Sequence, residues 1–139
     1  MKTTNILRLA LVGALSLALA HAASAVTAAT AGKVDVVLQK ALADMPGKEA
    51  LMITVTYAPG GADNLHRHDA HVFVYVLDGS IVMQVKGGQA VTLKPGQSFY
   101  EAPDDVHLIG RNASKTKPAK FLVLLLKDAS KPPVIPVKQ

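Results

Sequence analysis

HRHDAHVFVYVLDGSIVMQVKGG, residues 66–88, holds two apolar runs broken by Asp78-Gly79 and closed by Gly87-Gly88. In Ile81-Val82-Met83-Gln84-Val85-Lys86 the odd positions are apolar and the even ones turn polar, the period of two of a strand with one buried face. The glycine turns reach positive φ easily and close hairpins. Working outward, the same punctuation recurs: VDVVLQ, ALMITVTYAPGG, AVTLKPGQ, FLVLLL and PPVIPV are short apolar runs bounded by Gly, Pro and Asp. Only Gln39–Met52 offers a helical turn. The expected fold is all-β, an antiparallel sandwich or barrel.

The 139 residues carry no cysteine, so thiol nucleophiles, disulfides and cysteine-held metals are excluded. Any metal must sit on His or carboxylate. With three Tyr, three Phe and no Trp the core is aliphatic. Residues 1–25 read as a Sec-type signal peptide: Lys2 and Arg8 precede the uncharged run Leu9–Ala20, and Ala23-Ser24-Ala25 offers a cleavage site. The run is too short for a bilayer span, so no membrane association is expected after cleavage. Residues 26–32 read as a flexible segment and 33–139 as one domain, periplasmic or secreted. Cleavage removes Lys2 and Arg8 and lowers the formal charge from +5 to +3. The seven cations from Arg111 to Lys138 are scattered among apolar residues without stacking aromatics, which excludes a nucleic-acid groove. Asn112-Ala113-Ser114 matches a glycosylation acceptor, a pattern common by chance.

The mature chain has four histidines, at 66, 68, 71 and 107. On a strand, residues i and i+2 share a face with Cα atoms roughly 6.6 Å apart, so His66 and His68 can aim at one ion, and His107 is the distant histidine able to close the site. Two buried histidines can equally be hydrogen-bonded core residues. Alternation from His68 turns Val72, Val74 and Val76 inward and His71, Phe73, Tyr75 and Leu77 outward, whereas a bulge at Asp69-Ala70 would bring His71 onto the metal as a fourth imidazole. Tyr75 and Tyr100 could donate to a bound ligand or pack between sheets. Glu101, Asp104 and Asp105 precede His107 and could orient its other nitrogen, or Asp104-Asp105 could simply form the turn.

Gly60-x5-His66-x-His68 followed by Gly79, then Gly96-x10-His107 followed by Asn112, resembles the two motifs of the cupin superfamily, G-x5-H-x-H-x3,4-E-x6-G and G-x5-P-x-G-x2-H-x3-N. The resemblance spans about residues 33–137 and is nearest to small bacterial single-domain cupins. It implies a double-stranded β-helix, a jelly-roll barrel, holding one divalent transition metal (Fe, Mn, Ni, Zn or Cu) on His66, His68 and His107. The sequence departs from the motifs at four positions. Val72 stands where the carboxylate ligand belongs, Ala102 and Asp104 replace the motif proline and glycine, and Asn112 lies one place late. Three-histidine iron centres in the superfamily belong to dioxygenases, so the resemblance points to a metal-dependent oxygenase acting on a small organic acid, diketone or phenolic compound. The alternative is a non-catalytic cupin that binds or senses metal or a small ligand. Cupins commonly pair through their sheets, which implies a homodimer. The proline-rich tail Pro132–Pro136 belongs on a sheet edge or across a partner.

Overall fold

A computed structural model describes residues 30–138. Ten strands succeed one another: β1 Lys33–Ala41, β2 Lys48–Tyr57, β3 His66–Arg67, β4 Ala70–Asp78, β5 Ile81–Val85, β6 Val91–Leu93, β7 Ser98–Glu101, β8 Val106–Asn112, β9 Ala119–Asp128 and β10 Ile135–Pro136. They form two five-stranded sheets, ordered β1-β2-β9-β4-β7 and β10-β3-β8-β5-β6, with every pairing antiparallel. Apart from the hairpins β1-β2 and β5-β6, consecutive strands change sheets, the arrangement of a jelly roll, and no helix occurs among the described residues. The signal-peptide expectation for residues 1–25 lies outside the described residues.

The helical turn expected within Gln39–Met52 is absent. Gln39, Lys40 and Ala41 pair with Leu51, Ala50 and Glu49, and the intervening Pro46-Gly47 makes a turn in which Gly47 adopts φ 78°. Long-range partners decide this segment: Glu49 is buried with its Oε1 2.7 Å from Lys127 Nζ, and Gln39 Nε2 donates to Glu49 Oε2 at 2.8 Å. These anchors lie on β9 and β1, out of reach of any local periodicity.

Alternation along β4 holds from Ala70 to Leu77. Val72, Val74 and Val76 are buried, and His71, Phe73, Tyr75 and Leu77 face out. Val72, Val74 and Val76 pair with Leu125, Val123 and Phe121 of β9, which with Tyr57, Ile81 and Met83 fill the space between the sheets. Each such side chain contributes about 1.5–3 kcal/mol on burial, so the barrel is held by aliphatic contact across its interior. Gly79 ends β4 at φ 71°; a Cβ there would come within 2.6 Å of the Pro118 carbonyl oxygen, so this turn requires glycine.

The outer face of the first sheet is apolar too. Register aligns Met52, Leu124, Phe73 and Tyr100 in one row, Thr54, Leu122, Tyr75 and Ser98 in the next, and Ala50, Leu126 and His71 in a third. No Lys, Arg, Asp or Glu interrupts these rows from β2 to β7, but on the edge strand β1 two of them continue onto charged residues, Asp35 opposite Thr54 and Lys40 opposite Ala50. The tail ends on an edge: β10 pairs with β3, Pro136 opposite His66 and Ile135 opposite Arg67.

Candidate metal centre

β3 and β8 lie side by side with His66 opposite His107, so residues 41 apart in sequence meet through a single register pair. His68 follows one residue beyond β3. All three are buried and offer ligand atoms within 4.8 Å of one another. His66 Nε2 lies 3.2 Å from His68 Nε2 and 3.4 Å from His107 Nδ1.

Backbone carbonyls fix the tautomers. His66 Nδ1–H donates to the Asn64 carbonyl at 2.7 Å, and His68 Nδ1–H donates to the carbonyl of Pro133 in the tail. A neutral imidazole protonated at Nδ1 keeps a lone pair on Nε2. Two lone pairs therefore face each other across 3.2 Å, a repulsive arrangement unless a cation lies between them. Burial lowers the pKa of His68, and burial together with neighbouring His66 lowers that of His107 to about 4, so neither is readily protonated near neutral pH. A cation shared by the rings relieves the contact, and the donor set suits a divalent transition metal. The three histidines could hold such an ion.

His71 lies outside this group. It is exposed on the outer face of β4, its ring stacked near Tyr100 and its Nδ1 2.7 Å from the Tyr100 hydroxyl. No bulge intervenes between Ala70 and Val76, so alternation carries it away from the ion. Tyr100 and Tyr75 face out as well and do not line the pocket, so they cannot donate to a ligand there. Asp104 and Asp105 form the turn: Asp104 has φ 69° and meets Arg67, while Asp105 Oδ2 accepts from the Ala102 amide at 2.8 Å. Asn112 is buried; its amide donates to the Ala58 and Lys117 carbonyls at 3.0 and 2.8 Å, so it pins loops together and is closed to glycosylation.

Three further residues complete the site: Glu101, which the sequence offered as a partner able to orient His107, and Tyr57 and Asp63, which carried no local signal. Glu101, at the end of β7, is 1% exposed, and its Oε2 lies 3.7 Å from His68 Nε2 and 3.6 Å from His107 Nδ1. Burial, reinforced by Asp105 and Asp63, pushes its pKa up to about 7. Tyr57 and Asp63 stand on the same pocket; the Tyr57 hydroxyl donates to Asp63 Oδ2 at 2.5 Å, and burial raises its pKa. The pocket encloses about 360 Å³, with walls that include Ile53, Val55, Val74 and Met83, and Val134 of the tail at its rim. It suits a small organic ligand whose polar end meets the histidines.

The cupin domain profile matches residues 53–125. This chain belongs to the cupin family. No curated protein matches its sequence. Among solved structures, a cupin domain from Bordetella pertussis Tohama I is 18% identical, covers 73% of this cupin and 98% of its own chain, and superposes with a TM-score of 0.57. A conserved protein with a double-stranded β-helix domain from Klebsiella pneumoniae is 18% identical, with 77% and 86% covered and a TM-score of 0.60. The polyketide cyclase RemF from Streptomyces resistomycificus is 20% identical, with 81% and 78% covered and a TM-score of 0.59. At these identities the likeness establishes the fold, which agrees with the two antiparallel sheets of this cupin.

Proposed function

We propose that this protein is an exported cupin that holds one divalent transition metal on His66, His68 and His107 and uses it to bind and activate a small organic acid, diketone or phenolic compound, as an oxygenase. The observation that carries the reading is the pair of Nε2 atoms 3.2 Å apart, on two rings whose Nδ1 atoms each face a backbone carbonyl. A bound ion would supply Lewis acidity and, where redox-active, a place for dioxygen beside the substrate. The carbonyls of Asn64 and Pro133 keep the imidazoles oriented, and the aliphatic walls exclude water from the ligand. Tyr57, tied to Asp63, presents a fixed hydroxyl at the pocket wall.

Residues 1–25 would be removed on export, leaving Val26 as the first residue, a mass that protein recovered from a periplasmic fraction would reveal. The apolar stretch of the outer rows between β2 and β7 offers a face for a two-fold contact between copies and supports a homodimer through it. A light-scattering mass of one chain at all concentrations refutes the dimer.

Elemental analysis tests the centre. Each of His66→Ala, His68→Ala and His107→Ala should lower metal occupancy at least about tenfold while the fold survives. Full metal content in any of the three removes that residue from the ligand set. Oxygen consumption by the Fe(II)-loaded protein over a panel of acids and diketones tests the chemistry; none with any compound favours a binding role without turnover.

A further inference from the structure

We propose that Glu101 is the fourth ligand of this metal centre, its carboxylate arriving from β7 rather than from β4. The inference rests on the three-histidine reading above and extends it to a residue of a different strand. β4 and β7 pair with Val72 opposite Glu101, and both side chains point into the barrel, so the position left apolar on one strand faces a carboxylate on the next. Glu101 Oε2 is buried without any hydrogen-bond partner. Two of the histidines stand beside it, His107 Nδ1 at 3.6 Å and His68 Nε2 at 3.7 Å. Among the described residues no Lys or Arg forms an ion pair with it: Arg67 engages Asp104, and Lys127 engages Glu49 at the far end of β9.

An isolated buried carboxylate is costly, and an unpartnered oxygen facing lone pairs on neutral imidazoles is more so. A cation at their common centre satisfies all of them at once. Ligands about 2.1 Å from an ion in tetrahedral or octahedral geometry stand roughly 3.0–3.4 Å from their neighbours. Here the neighbouring donors are separated by 3.2, 3.4, 3.6 and 3.7 Å, so a contraction of a few tenths of an ångström closes the set. A carboxylate also balances one of the ion's two charges inside an apolar pocket, which three neutral imidazoles do not.

The test titrates metal-free protein with Zn(II) and Co(II) against a competing chelator, using wild type, Glu101→Gln and Glu101→Leu. Metal affinity should fall at least about tenfold in Glu101→Leu and by less in Glu101→Gln, which keeps a carbonyl oxygen. The visible Co(II) bands should move in both, and adding Val72→Glu to Glu101→Leu should recover affinity by presenting the carboxylate from the opposite register position. Unfolding in chelator verifies that each variant folds; should Glu101→Leu fail to, Glu101→Gln alone decides through its Co(II) bands. Wild-type affinity and unmoved Co(II) bands in the Glu101 variants overturn this inference and leave the three-histidine site standing. A wild-type protein that takes up neither ion overturns both.

Discussion

Replacing Gly110 by alanine should weaken the metal centre although Gly110 binds nothing. Gly110 lies on β8 opposite Met83, three residues beyond His107. A Cβ built there stands 2.9 Å from His107 Cε1, 3.2 Å from His107 Nε2 and 3.1 Å from the Tyr57 hydroxyl oxygen, against 3.4–4 Å for an ordinary contact. One neighbour must yield by about half an ångström. Tyr57 cannot: its side chain is wholly buried, its ring packs on Phe121 with centroids 5.1 Å apart, and its hydroxyl is tied to Asp63. The His107 ring therefore shifts, carrying Nδ1 off the centre it shares with His66. Overpacking of this kind costs about 1–3 kcal/mol. For a domain of this size that lowers Tm by roughly 4–8 °C per kcal/mol, and a displaced ligand costs metal affinity about tenfold or more. Thermal unfolding in chelator reads the first effect and a competitive Zn(II) titration the second. Gly88→Ala is the control, because its nearest contacts are at 3.4 Å and it has no positive φ. Wild-type Tm and affinity in Gly110→Ala would refute the claim that β8 holds the His107 ring in place.

Other outcomes follow from the same contacts. His71→Ala should retain metal content, measured by elemental analysis, because His71 faces away from the pocket; a loss as steep as that of His66→Ala would make this a four-histidine site. Lys127→Met leaves Glu49 without its cation and should lower stability in urea unfolding, whereas changing Lys127 and Glu49 together to apolar residues should cost less. In metal-free protein Glu101 titrates near 7 when folded and near 4.5 when unfolded, so it adds stability below pH 4.5 that is lost as pH rises through 7. The stability of Glu101→Gln relative to wild type should therefore rise with pH across that window by about 1.4 kcal/mol per unit, and a difference independent of pH would refute the buried-carboxylate assignment. His107, lowered to about 4 from 6.5, has the opposite sign: its contribution is present above pH 6.5 and lost as pH falls toward 4, so an asparagine in its place should flatten the acid limb.

Local pattern carried much of this protein. The strict period of β4 placed Val72, Val74 and Val76 inside and His71, Phe73, Tyr75 and Leu77 outside, because a strand has only two faces and one of them is buried. The spacing of His66, His68 and His107 between glycine turns singled out the group that the structure gathers, since i and i+2 share a face and the third histidine follows from the motif spacing. What the sequence could not show is whatever depends on which strands become neighbours. Gln39–Met52 is a hairpin because β9 supplies Lys127 to Glu49, and Glu101 faces the histidines because β7 pairs with β4 in one particular register. The Pro133 carbonyl sets the His68 tautomer across 65 residues of chain, and Gly110 leaves room for a ring that only the folded barrel brings beside it. The periodicity of a strand is a property of the backbone and can be read from the chain alone, whereas pairing, register and the meeting of distant polar groups are fixed by the closure of the barrel.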